Sequence, residues 1–346
     1  PVGHTVPPRP RPGSPRSSVL GLLRVATWRQ LNAEDHHGSS CPGEIWMADV
    51  LHPDISRRVF ALSAPAESIS YFVSHAWEDD GNAKGMAGHG PTYGDGAAAA
   101  AAASARSEFG WRKAVAFGNV VRTIKEMTGV DRDSLTFWTD KVCVPQFDPV
   151  LKAACIRSFE GFIACSVGMI VLLTPRYIRR LWCVYELCCF LATKPMDALY
   201  VNLRSFASAE NRMVYLEAIR GLTVDSCECK VEFDRTILRE KVHAAYRSEA
   251  SFARFSQAGV LSLAIRDFYS YPPMIKTKAL FDEHVEPWLA LLRELSFDDL
   301  AAAWTAFDVP AVYAEAGCDD DKYLALLQTH LETHVYPVLN TERAAA

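Results

Sequence analysis

No stretch of this 346-residue chain approaches the roughly 20 apolar residues that a membrane-spanning helix requires. The longest apolar segments, around Val167–Leu173 and Gly259–Ile265, read instead as buried core. Excess charge is also scarce. Lys and Arg number 36 against 41 Asp and Glu, and the net of −5 offers no electrostatic footprint for nucleic acid. Paired Cys-x-x-Cys spacing is absent, and Cys227-Glu228-Cys229 is one residue too tight for a zinc site. The ten cysteines form no disulfide framework. Cys155, Cys165, Cys183, Cys188 and Cys189 lie in apolar runs, where a free thiol behaves as a small hydrophobe. Together these absences predict no membrane partner, no nucleic-acid partner, no metal, and a reducing, cytoplasmic compartment. Pro1 in first position predicts a fragment or processed product, which leaves open a signal peptide removed upstream.

What is present suits a folded protein of one large domain or two ordinary ones, each with a real core. Residues 1–18, rich in Pro, Arg, Gly and Ser, carry too little apolar content to fold and read as a disordered tail. Residues 19–67 form a helical lead-in, with scattered apolar positions over Val19–Asn32 and Glu44–Leu62 compatible with short helices. Residues 68–247 then alternate strand and helix. Ser68–Ser74 is β-branched and aromatic and predicts a buried strand. Residues 81–107 turn Gly-rich and then poly-alanine. Alanine favours helix, but an all-alanine run has no amphipathic face to dock, so this segment reads as a surface insertion.

Phe109–Thr128 shows helical spacing, Leu135–Thr139 is a short strand ending at Asp140, and Lys141–Pro149 a loop. Lys152–Ser166 predicts a helix, Val167–Leu173 the most convincing buried strand, and Trp182–Thr193 a helix that stops before Lys194-Pro195. Ala198–Asn202 is the next strand, Glu210–Arg220 a helix, and Leu222–Cys227 a last strand, before a helix capped by Asp234 that runs to about Tyr246. Such alternation predicts βα units on a parallel sheet, an α/β doubly wound fold. Residues 248–346 carry only helical signals, over Met274–Leu295 with an interruption at Pro287, Phe297–Phe307 and Asp321–Val335.

In a doubly wound sheet, ligands bind outside the carboxyl ends of the strands. Three such ends carry polar residues here: Ser74-His75-Ala76-Trp77-Glu78-Asp79, Asp140-Lys141, and Thr174-Pro175-Arg176-Tyr177. Glu186 enters from the helix that starts just after the third. Together they define one candidate cleft.

At these residues the chain resembles the TIR (Toll/interleukin-receptor-like) domain family, closest to plant-type and protist members. Ser74-x-x-x-Glu78-Asp79 after a strand is similar to the family's first sequence box. Phe137-Trp138-Thr139-Asp140 resembles its second strand, and Lys141–Pro149 the so-called BB loop that follows. Thr174, Tyr177, Trp182, Cys183, Glu186 and Leu187 match the order and spacing of the third box. The resemblance covers about Ile69 to Asn202. It implies a flavodoxin-like fold and, for many members, hydrolysis of NAD+ with release of nicotinamide. NAD+ is then a substrate, and no cofactor is implied. By position the catalytic carboxylate is Glu186.

The substrate contacts implied are Ser74, His75, Trp77, Asp140, Lys141, Thr174, Tyr177, Trp182 and Cys183, with Lys141 meeting the diphosphate and Trp77 or Tyr177 stacking on a ring. The implied partners are a second copy or other TIR-like domains, engaged through the BB-like loop. Two features depart from the pattern. His75-Ala76-Trp77 replaces an aromatic-basic-glycine stretch, and Val142-Cys143-Val144-Pro145 is unusually apolar for an exposed loop. The alternative within the resemblance is a non-catalytic interaction module.

Plainer readings stand beside each of these. Glu186 also reads as a carboxylate complementing the positive end of a helix dipole, Trp182 and Cys183 as packing residues, and Asp140 as a turn cap. Ser74 and His75 are adjacent on a strand and face opposite ways, which excludes a Ser–His pair. Arg176, Arg179 and Arg180 form a basic cluster that reads as surface or as a phosphate attractor. His330-x-x-x-His334 lacks the zincin glutamate position, and Asp319-Asp320-Asp321 lacks EF-hand alternation and reads as a helix start. A cysteine hydrolase using Cys143 finds no histidine partner in the sequence.

Overall fold

The computed structural model describes residues 21–31, 44–48, 50, 52–77, 96–202, 209–229, 231–270 and 277–345. The predicted tail over residues 1–18, Glu78, Asp79 and the Gly-rich part of the insertion lie outside them. Six strands form one mostly parallel sheet in the order β2-β1-β4-β3-β5-β6: β1 Arg24–Thr27, β2 Ala64–Pro65, β3 Ile69–His75, β4 Thr136–Trp138, β5 Ser166–Leu172 and β6 Leu199–Val201. The chain divides into two compact units, Pro1–Ile170 and Val171–Ala346, with the boundary inside β5.

In the first unit, β3 is buried at every position but Ser70, as a strand covered on both faces should be. It pairs in parallel with β4, setting Tyr71 opposite Phe137 and Phe72 opposite Trp138. The lead-in is not wholly helical. Arg24–Thr27, expected in a helix, is a strand that pairs antiparallel with β4 and with β2. Four residues are too few for intrinsic preference to decide, and the open edge of β4 supplies the hydrogen bonds that do. Short helices at Glu44–Met47 and Pro53–Phe60 complete the lead-in.

The poly-alanine part of the expected insertion is helical from Gly96. It continues into the expected helix as one element, α1, over Gly96–Thr128. Propensity carries the run once the amphipathic C-terminal half has docked Phe117, Val121 and Ile124. Phe72, Phe117, Phe137, Trp138, Phe159 and Phe162 form the aromatic core of this unit.

In the second unit, α2 (Leu181–Thr193) and α3 (Glu249–Tyr269) are the buried helices. Gly259 lets them approach closely, since a Cβ there would fall 2.8 Å from Leu191 Cδ1. The predicted strand Leu222–Cys227 does not form. Only a single parallel bridge links Glu228 to Arg180, because Thr223–Ser226 closes a hydrogen-bonded turn instead. The helix expected to be capped by Asp234 starts at Glu232, with Val231 in the cap position. The C-terminal region is helical, and its first segment breaks at Val285, two residues before Pro287. Asp319 caps the helix Asp320–His330 by accepting from the amides of Asp321 and Lys322.

Asp267, on α3, is buried beside Arg266, whose guanidinium also donates to the carbonyls of Met196 and, at 2.9 Å, Leu199. Burial pushes the Asp267 carboxyl up to about 7 against the attraction of Arg266. A carboxyl whose folded-state pKa lies above its unfolded value binds its proton more tightly when folded. Its contribution to stability is therefore present at low pH and lost as pH rises from 3.8 to about 7. The Asp267→Asn variant is expected to remove this slope, at most about 1.4 kcal/mol per pH unit. Urea unfolding of the two proteins across that range measures the difference.

Candidate functional site

At the carboxyl ends of β3 and β4 the first unit carries a buried polar network centred on His75. Lys113 Nζ lies 3.3 Å from His75 Nδ1 and also donates to the carbonyl of Ala76. A lysine ammonium has no acceptor, so Nδ1 accepts and the imidazole hydrogen sits on Nε2. That atom faces Thr139 Oγ1 at 3.3 Å and Asp140 Oδ1 at 3.5 Å. Asp140 in turn accepts from the Trp77 indole N–H at 2.6 Å. The edge of Trp46 packs on His75, with centroids 5.2 Å apart. His75, Lys113, Thr139 and Ser74 are all buried, while Trp77 and Asp140 are half-buried.

Ser74, His75, Trp77 and Asp140 lie in or beside this network, Ser74 buried next to His75, and Lys141 reaches it through Trp46. Asp140 opens the short helix Asp140–Cys143, yet its carboxylate is used by Trp77 and caps no turn. Lys141, expected to meet a diphosphate, is 2% exposed and donates to the Trp46 carbonyl at 2.6 Å. In this conformation it anchors the lead-in and does not face solvent.

Lys113 and Trp46, which also belong to the network, were not anticipated. Lys113 had a readable signal: it is four residues before Phe117 and so falls on the docked face of α1, where a lysine is out of place. Replacing it by methionine keeps the bulk but leaves His75 Nδ1 and the Ala76 carbonyl without this donor. The Lys113→Met variant is expected to lose about 2–3 kcal/mol of stability, read from its denaturant midpoint.

The BB-like loop is not an exposed loop. Val142, Cys143 and Val144 are buried, which accounts for its apolar composition. Burial pushes the Cys143 thiol up to about 12, so no thiolate nucleophile is available there near neutral pH. The thiols of Cys188 and Cys227 are raised to about 12 for the same reason.

In the second unit, Thr174 closes the turn after β5: its carbonyl accepts from the Tyr177 amide at 2.9 Å, and its hydroxyl accepts from the same amide at 3.3 Å. Tyr177 is fully buried, so its ring packs the interior and offers no face for stacking. Cys183 is buried and Trp182 half-buried on α2. Glu186 is the sixth residue of α2 and only 7% exposed. The helix-dipole reading therefore fails, because that field fades within the first turn, which holds no acidic residue.

Leu181 donates to the Glu228 carbonyl and Glu228 to that of Arg179, which fixes the basic turn before α2. His330 is held by the Ala303 carbonyl at 2.8 Å and its ring lies 4.8 Å from that of His334. Among the described residues no three His, Cys, Asp or Glu side chains are grouped to hold a metal, and no helix is long and apolar enough to cross a membrane. No protein-family model, no curated protein and no solved structure matches the chain.

Proposed function

We propose that the chain is a TIR-like α/β protein of the flavodoxin-like type, acting in signalling or defence, that hydrolyses NAD+ with Glu186 as its catalytic carboxylate. The observation that carries this is the burial of Glu186 within an otherwise apolar helix. Glutamates are rarely this buried, and a carboxylate set among apolar residues marks a candidate functional position. The strand order adds support. Counted from β3, the first parallel strand, β4-β3-β5-β6 reads 2-1-3-4, the order of flavodoxin-like sheets.

The chemistry requires little else. Nicotinamide departs as a neutral molecule when the bond to ribose C1′ breaks and the bonding pair returns to the pyridinium nitrogen, so no general acid is needed. A nearby carboxylate stabilises the oxocarbenium-like ribose that remains. Water adds at C1′ and loses a proton, giving ADP-ribose. Incubation of the concentrated protein with NAD+ is expected to release nicotinamide in proportion to time and enzyme. No release at any concentration, including those at which the chain self-associates, would overturn the enzymatic reading.

A specific observation favours the second reading, a non-catalytic interaction module. Five of the nine residues that the resemblance assigns to substrate, Ser74, His75, Lys141, Tyr177 and Cys183, are buried, Lys141 and Tyr177 at 2% and 0% exposure. The burial of Val142, Cys143 and Val144 means that such a module would not assemble through these three side chains. Absence of nicotinamide release together with concentration-dependent association in sedimentation is the result this second reading expects.

A further inference from the structure

Two histidines of the second unit have no part in the reading of Glu186. His330 ends the helix Asp320–His330, and His334 lies in the π turn Leu331–Val335 that follows it. Pro337 accounts for that turn: it has no N–H to give the Thr333 carbonyl, four residues back, and the helix widens where the bond is lost. The two imidazole rings stand together, their centroids 4.8 Å apart and their planes at 40°. His330 is half-buried against the Phe307 ring, at 5.0 Å, while His334 is exposed.

The Ala303 carbonyl lies 2.8 Å from His330 Nε2. A carbonyl can only accept, so Nε2 carries the hydrogen and the lone pair is left on Nδ1. Metal-binding histidines are fixed in this way: the second ring nitrogen donates to a carbonyl or carboxylate, which sets the tautomer and orients the ring. Burial holds the His330 imidazole below its usual range, helped by His334 and opposed by the Ala303 carbonyl, so the ring is neutral near pH 7. The spacing of the rings also fits. Imidazole nitrogens bind zinc at about 2.0–2.1 Å, which sets each ring centroid about 3.2 Å from the ion. Two rings on one ion, at an angle of about 90–110°, then stand about 4.5–5.2 Å apart. The observed 4.8 Å falls inside that range.

We propose that His330 and His334 bind one divalent transition-metal ion, Zn2+ or Cu2+, through Nδ1 of His330 and a ring nitrogen of His334. Neutral imidazoles suit these ions, whereas Mg2+ and Ca2+ take oxygen ligands. Among the described residues no group of three His, Cys, Asp or Glu side chains could hold a metal, so the site is a two-ligand one. Its remaining coordination positions go to water or to an exogenous anion. The inference is independent of the reading of Glu186, because neither histidine belongs to that site.

The test is a calorimetric titration of the metal-free full chain with Zn2+, repeated with Mg2+. Saturable binding of Zn2+ is expected, and none of Mg2+. The chain has ten histidines, so the variants carry the assignment. Losing a hydrogen-bond partner of a ligand typically costs about 10–100-fold in metal affinity, and losing the ligand itself costs at least as much. The His334→Gln and His330→Gln variants are therefore each expected to bind Zn2+ at least about tenfold more weakly. His334 is exposed, so His334→Gln keeps the packing and decides the matter should His330→Gln fail to fold. No saturable Zn2+ binding, undiminished binding to His334→Gln, or equal binding of Mg2+ would overturn the proposal.

Discussion

The Trp138→Ala variant is expected to lose about 3–5 kcal/mol of stability. Trp138 is 1% exposed on β4, and its ring lies nearly parallel to that of Phe72 with centroids 4.5 Å apart. Phe159 meets it edge-on at 5.6 Å and Phe162 packs at 5.3 Å. Truncation opens a cavity among three rings, Phe72 on β3 and Phe159 and Phe162 on one helix, which cannot close over it without disturbing the register of β3 on β4. Denaturant unfolding should show the lower midpoint with little change in slope. A loss below about 1 kcal/mol would mean that this aromatic cluster is not the core of the first unit.

The Glu186→Gln variant is expected to release nicotinamide about 10²–10³-fold more slowly than the wild type. The amide keeps the shape and an acceptor oxygen but not the charge that would stabilise an oxocarbenium-like ribose. Stability gives the contrast. A neutral amide is cheaper to bury than a carboxylate, so the unfolding midpoint should fall by no more than about 1 kcal/mol in equivalent stability. A purely structural carboxylate predicts the inverse pattern, a large fall in midpoint with an unchanged rate.

Sequence patterns located the elements whose signal is intrinsic. β3 and β5 stand out because strands covered on both faces read as unbroken apolar runs, and α2 because it ends at Lys194-Pro195. β1 did not stand out, since its four residues become a strand only by pairing with β4. The poly-alanine run was ambiguous for a related reason: propensity and the lack of a docking face pulled opposite ways, and continuity with Phe117 and Ile124 decided for helix.

At the candidate site, spacing brought His75, Trp77 and Asp140 to attention but not their partners. Lys113 and Trp46 reach the network from a helix and a lead-in segment distant in sequence. Lys141 and Tyr177 show the opposite limit. Their residue types suit a diphosphate and a ring, yet burial assigns them to anchoring and packing, and burial is a property of the tertiary structure.

The central claim is that Glu186 is a catalytic carboxylate, and the most direct test compares nicotinamide release from NAD+ by the wild type and by Glu186→Gln. Both proteins are assayed at matched high concentration after their folding has been checked by unfolding midpoint. The account predicts steady release by the wild type and a loss of at least about 10²-fold in the variant. Equal rates from the two folded proteins, or no release from either, would contradict it.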